Sequence, residues 1–392
     1  MLRKSQLLIL VAVIILLGQT SYAEVKNVIL MIGDGMGFEH VKAASLYAYG
    51  EEGKLSFEQY YCGEMATHSE NSYTKNNHAT DSAAAATAMA TGKKVNNGII
   101  NEISGKPLKT ILECLQEKGK ATGLVTTVPI THATPAGFAA HSRSRSNYSD
   151  IANDYMTQSR PNLLFGAYYE NGKGMTAEKA SKGGYSVVTT RREMLDIVGP
   201  LDENSTEEFF LAGLFCPDGM PWEYDYYNPT VILFPLDEIF NLPNYNTIPH
   251  LSEMTSSALS VLDNDSDGFF LMVEGGKIDW AGHDNIIEHS VFETLEFDRA
   301  FRAVMKWAKD RDDTLIVVTA DHECGGLFVV KGNRRGYMPD VFWGSTSHTG
   351  ANVPVYATGQ GAEEFTGVID NTDIFKIILK LTGNTETVAS KN

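Results

Sequence analysis

Positive charge is scarce in this chain. Its 32 Lys and Arg stand against 49 Asp and Glu, a formal net charge of −17. Nucleic-acid backbones and anionic lipid repel such a surface, so neither is expected as a partner. The acidic excess suits divalent cations, whereas an anionic substrate requires a local positive cluster. Cysteine is scarce too: Cys62, Cys114, Cys216 and Cys324, with no Cys-x-x-Cys spacing. That argues against a structural zinc site and leaves three full disulfide pairings, or free buried thiols. Internal repeats and low-complexity linkers are absent. The apolar run Leu7–Leu17 is too short to span a bilayer comfortably. Arg3 and Lys4 precede it and Ser21-Tyr22-Ala23 follows it, so residues 1–23 read as a cleaved secretory signal peptide. The expectation is an exported protein, periplasmic or extracellular, mature from Glu24. No cysteine follows the run to take a lipid, so no membrane anchor is expected in the mature chain.

What is present is an ordinary globular composition, 43% hydrophobic and 21% charged. Val28–Met31, Gly123–Thr127, Phe269–Val273, Thr314–Val318 and Val353–Tyr356 are apolar without clean alternation. Strands buried on both faces read this way, which predicts a mostly parallel sheet. Helices are predicted over Leu108–Lys118, His289–Lys309 and Asp373–Leu381. The alternation implies an α/β fold, a three-layer α/β/α sandwich in one domain over 24–392. The stretch 161–249 reads as an insertion. Its part from Pro200 to Pro249 holds seven of the 13 prolines and many aromatics, and is expected to lie over the sheet or near a subunit contact.

Ligands gather beyond the C-terminal ends of parallel strands, so the polar residues there matter most. Gly33-Asp34-Gly35-Met36-Gly37 follows the first strand. Thr80-Asp81-Ser82 opens an Ala-rich helix, where free amides favour an anion. A serine there is more often a helix cap than a nucleophile. His132-Ala133-Thr134-Pro135 precedes Arg143 and Arg145, one a candidate phosphate clamp and the other an exposed surface charge. Glu274, then Asp279, Trp280 and His283, then Asp321-His322, and finally His348 complete six segments bearing donors for zinc and magnesium. The run Asp263–Gly268 with Glu274 matches an EF-hand loop. The apolar strand Phe269–Val273 and the glycines after Glu274 argue instead for an exposed helix-to-strand turn.

In this order and spacing, the motifs resemble those of the alkaline phosphatase family from about Val25 to the last helix. The resemblance rests on Gly33-Asp34-Gly35-Met36-Gly37, Thr80-Asp81-Ser82-Ala83-Ala84, Ala133-Thr134-Pro135, Val273-Glu274-Gly275, Ile278-Asp279, Thr319-Ala320-Asp321-His322-Glu323 and His348-Thr349-Gly350. It implies a phosphomonoester hydrolase working through a phosphoserine on Ser82, with two zinc ions and one magnesium per subunit, and a homodimer. It further implies one zinc on Asp279, His283 and His348, a second on Asp34, Asp321 and His322, and magnesium on Asp34, Thr134 and Glu274. Arg145 would bind phosphate, oriented by Asp81. His132 and Trp280 stand where the best-known bacterial members carry Asp and Lys. His132 is similar to animal members and Trp280 to some cold-active bacterial ones.

Rival readings are a phosphodiesterase or phosphonate hydrolase of the same superfamily and a non-catalytic secreted metal-binding protein. A sulfatase needs a Cys/Ser-x-Pro-x-Arg segment, which Cys216-Pro217-Asp218 does not supply.

Overall fold

The computed structural model describes residues 24–75, 79–197, 209–226 and 247–384. The leader read at residues 1–23 lies outside them, as does much of the stretch 200–249. In chain order the sheet strands are β1 (Asn27–Gly33), β2 (Tyr61–Ala66), β3 (Ala121–Pro129), β4 (Leu163–Tyr168), β5 (Ser186–Val188), β6 (Leu211–Pro217), β7 (Phe269–Gly275) and β8 (Thr314–Thr319). A short ribbon of β9 (Glu323–Cys324) and β10 (His348–Thr349) follows, then β11 (Val353–Gly359) and β12 (Gly367–Asp370). Ten of these form one sheet in the order β12-β2-β11-β8-β1-β7-β3-β4-β6-β5. From β8 to β5 every pairing is parallel. Strand β11 pairs antiparallel with both β8 and β2, so the apolar run at Val353 is a strand, but one running against its neighbours.

All seven residues of β1 and of β7, and all nine of β3, are buried. Only a sheet covered on both faces buries consecutive residues this way. The cover comes from helices α1 (Phe38–Tyr49), α2 (Ser82–Thr91), α3 (Ile111–Gln116), α4 (Ala133–Ala139), α5 (Leu251–Leu262), α6 (Lys277–Asp284), α7 (Ile287–Trp307) and α8 (Asn371–Leu381). They pack as two groups: α7 against α1, α5 and α6, and α2 against α4 and α8.

The helix boundaries follow from caps. Thr110 accepts from the Glu113 amide and starts α3 later than hydrophobicity alone suggests. Asp370 does the same for α8 at Thr372. Within the stretch 161–249, the described residues do not simply lie over the sheet: β4, β5 and β6 extend it by three strands. The EF-hand-like run forms a turn, with Asp263 engaged by Trp307 and Arg311 rather than arranged for a cation.

Candidate active site

Strands β1, β3, β7 and β8 run parallel, so their C-terminal ends deliver side chains to one edge. Asp34 follows β1, Glu274 lies at the end of β7, and Asp321 and His322 follow β8. Asp279, Trp280 and His283 lie on α6, directly after β7, and Thr134 lies in the first turn of α4 after β3. His348 comes from β10, whose ladder places it opposite Cys324. Thirteen residues singled out in the sequence thus converge on one region around a cleft of about 720 Å³, a size suited to a small ligand.

Ser82 is the first residue of α2 and 1% exposed. The cap is its neighbour Asp81, whose Oδ1 accepts from the Ala84 amide at 3.0 Å. The serine hydroxyl is therefore spared the bland capping role. It stands 3.4 Å from His322 Nε2. Asp81 Oδ2 accepts from Gly98 N and from Arg145 Nη1, each at 3.0 Å. Arg145 Nη2 donates to His132 Nε2 at 3.2 Å, which places the ring proton of neutral His132 on Nδ1. Burial, then Arg145, brings the His132 pKa down to about 3. Burial opposes the charge on Arg145 itself, but Asp81 raises its pKa further. Arg143 points outward to Glu102 with its side chain 79% exposed, so it is the surface arginine of the pair.

Four carboxylates are buried together: Asp34, Glu274, Asp279 and Asp321. Each keeps one oxygen without a hydrogen-bond partner among the described residues: Asp34 Oδ1, Glu274 Oε1, Asp279 Oδ1 and Asp321 Oδ2. Among the described residues, Arg145 is the only Lys or Arg on the cleft wall. Burial, followed by Asp321, Asp279 and Glu274, pushes Asp34 well above the usual carboxylate range. Burial lifts Asp321 to about 6 and Glu274 to about 7. Buried like charges of this number call for cations.

The histidines fit that demand. His283 Nδ1 is 2.8 Å from the Thr346 carbonyl, and His348 Nδ1 2.8 Å from that of Thr80. Carbonyls only accept, so both Nδ1 atoms carry protons and both Nε2 atoms face inward. The two Nε2 atoms are 3.1 Å apart and lie 3.4 and 3.3 Å from the Asp279 oxygens. Burial opposes a charge on His348, but Asp279 outweighs it and raises the pKa to about 9. A proton there occupies the place that suits a metal ion. Nearby, His322 Nε2 lies 3.4 Å from Asp34 Oδ1 and 3.2 Å from Asp321 Oδ2. Asp279 also reaches this second cluster. A third joins Asp34, Glu274 and His132, with Thr134 Oγ1 donating to Asp34 Oδ2 at 3.4 Å.

The alkaline phosphatase family model matches residues 25–166, 157–337 and 333–383. The chain belongs to the alkaline phosphatase family. It is 33% identical to alkaline phosphatase 3 of Bacillus subtilis, covering 91% of this chain and 89% of that one. It is 30% identical to streptomycin-6-phosphate phosphatase of Streptomyces griseus, over 92% and 91%. Among solved structures it is similar to the alkaline phosphatase of the Antarctic bacterium TAB5, with a TM-score of 0.72 and 30% identity over 92% and 99% of the two chains. It is also similar to a histidine-to-aspartate variant of that enzyme with Mg bound in its M3 site, at a TM-score of 0.72 and 28% identity over 93% and 99%. Membership supports phosphomonoester hydrolysis and implies metal cofactors.

Two residues of this alkaline phosphatase site escaped the sequence reading. Thr126 lies opposite Glu274 in the β3–β7 register and donates its hydroxyl to Glu274 Oε2. Only the register identifies it. Cys324 lies two residues beyond His322, and its sulfur joins Asp279, His283 and His348 in one donor cluster. A lone cysteine carries no spacing signal. Trp280, which the resemblance ranked beside His132, does meet that ring edge-on at 6.4 Å between centroids.

Proposed function

We propose that this chain hydrolyses small phosphate monoesters through a phosphoserine on Ser82, using two zinc ions and one magnesium. The observation that carries this reading is the gathering of four buried carboxylates, each with an oxygen unpartnered among the described residues, one of which, Asp279, lines the same cleft as Ser82 and Arg145. Asp279, His283 and His348 would hold one zinc. Asp34, Asp321 and His322 would hold the other, and Asp34, Thr134 and Glu274 the magnesium. The variant relative with Mg in its M3 site supports the presence of a magnesium site. When bound, the ions supply Lewis-acid stabilisation of negative charge on the attacking and leaving oxygens.

The protein's own residues position the reaction. The Arg145 guanidinium holds two phosphoryl oxygens, with Asp81 fixing one of its nitrogens and His132 the other. Ser82 Oγ, at the positive end of α2, attacks phosphorus as the ester P–O bond breaks. The alcohol leaves with a proton. Water then cleaves the phosphoserine, releasing inorganic phosphate and restoring the hydroxyl. We further propose that the chain is exported and works as a homodimer, from the leader-like residues 1–23 and the family resemblance.

Ser82→Ala is expected to lower kcat for a chromogenic phosphate monoester by at least about 10³-fold. A chelator is expected to abolish the wild-type rate, and zinc with magnesium to restore it. A Ser82→Ala protein that turns over at the wild-type rate overturns the phosphoserine reading. A rate indifferent to the chelator overturns the metals.

A further inference from the structure

Cys324 is fully buried and makes no disulfide. Its sulfur, an Asp279 oxygen and a ring nitrogen from each of His283 and His348 all lie within 4.8 Å of one another. Exposure grades across this cluster: the side chains of His283, His348 and Asp279 are 39%, 14% and 7% exposed. The first three line the cleft and Cys324 does not, so the thiol approaches from the protein side.

The backbone makes room for it. Gly35 holds φ +72°, and a Cβ there would lie 2.9 Å from Cys324 Cβ and 2.8 Å from Asp279 Cα. A Cβ on Gly282, one turn along α6 from Asp279, would stand 3.0 Å from Cys324 Cβ and 3.1 Å from its sulfur. Two glycines therefore let β9 sit directly against the α6 turn that carries Asp279 and His283. Cys324 N also donates to Gly35 O at 3.0 Å, which pins the strand to the loop bearing Asp34. Asp279 Oδ1, on a side chain 7% exposed, faces His348 Nε2 at 3.3 Å and has no hydrogen-bond partner among the described residues.

We propose that Cys324 is a sulfur donor to the ion held by Asp279, His283 and His348. This rests on the reading that those three residues hold a metal. Thiolate, two imidazoles and a carboxylate are a donor set for zinc and for softer, thiophilic divalent ions, and a poor one for magnesium. Binding releases the thiol proton to solvent while the sulfur lone pair bonds the ion. Cys324 would reach the ion from the protein side, leaving the cleft side to substrate. Sulfur donation makes this site selective among the three, with thiophilic ions entering here first.

The test replaces the bound ion with Co²⁺ in the full chain and records its absorption spectrum. Visible d–d bands report cobalt on the imidazole and carboxylate donors, and a near-ultraviolet sulfur-to-cobalt charge-transfer band reports the thiolate. The expected result is both features in the native chain, with the near-ultraviolet band lost and the visible bands kept in Cys324→Ser. Visible bands without the near-ultraviolet band in the native chain overturn the sulfur ligand and leave the metal site standing. A band that survives Cys324→Ser belongs to another cysteine and also overturns it. No visible bands at all overturn the metal-site reading beneath it. If Cys324→Ser does not fold, a chain with Cys62, Cys114 and Cys216 all changed to Ser must keep the charge-transfer band, and its loss there counts against Cys324.

Discussion

Asp81 carries two duties with two oxygens. Oδ1 caps α2 through Ala84, and Oδ2 holds Gly98 and Arg145. Substitution separates the duties. Asp81→Asn keeps an acceptor for the cap but removes the charge facing the guanidinium. Charge-assisted hydrogen bonds exceed neutral ones by about 1 kcal/mol, so the inhibition constant for inorganic phosphate is expected to rise about fivefold. Asp81→Ala loses the cap as well, at a further cost of about 1 kcal/mol in unfolding free energy. An unchanged phosphate inhibition constant in Asp81→Asn would show that Arg145 needs no such support. Asp34, Asp321 and His322 were legible because each sits in a short polar motif after an apolar run, and Ser82 because it opens an Ala-rich helix. Thr126 and Cys324 were not, because their roles arise from register and from packing between distant segments.

Helix α2 shows why some elements are legible and their packing is not. Its Ala-rich sequence predicts a helix, and all ten of its residues are buried. The alanines let α4 approach so closely that a Cβ on Gly137 would stand 2.4 Å from Ala86 Cβ and 3.2 Å from the Ala86 carbonyl carbon. Propensity alone says that Gly137→Ala stabilises α4 by about 1 kcal/mol. The contact reverses the sign, because neither helix backbone yields easily. We expect a net destabilisation of about 1–3 kcal/mol in chemical denaturation. A reduced kcat should accompany it, since Ser82 starts α2 and Thr134 lies near the start of α4. A more stable Gly137→Ala protein would show that the helices can slide. Strands β4, β5 and β6 failed to register as sheet strands for a related reason. Strand β5 has only three residues, and the nearby prolines and aromatics resemble an insertion, so the place of all three is fixed by neighbours rather than by pattern.

Across the whole molecule, part of the acidic excess is buried in charge pairs away from the active site. His250 Nδ1 lies 2.9 and 3.0 Å from the two oxygens of Glu223. Burial opposes the imidazolium, but Glu223, with Glu296 and Glu253 behind it, raises the pKa to about 9. A folded pKa above the unfolded value near 6.5 gives stability that is complete below pH 6.5 and lost as pH rises through 9. Unfolding free energy is therefore expected to fall over that window by on the order of 3 kcal/mol from this residue. His250→Gln should flatten that part of the profile, and a variant with the parent's pH slope would assign the effect elsewhere.

The active site draws on Asp34 near one end of the 392-residue chain and on His348 near the other. Parallel strands bring these ends together only after β8 and the β9–β10 ribbon have formed. A ribosome thus releases Ser82, Arg145 and Asp34 long before it releases the last donor. Every nascent fragment that stops short of His348 would lack one donor of the proposed metal centre.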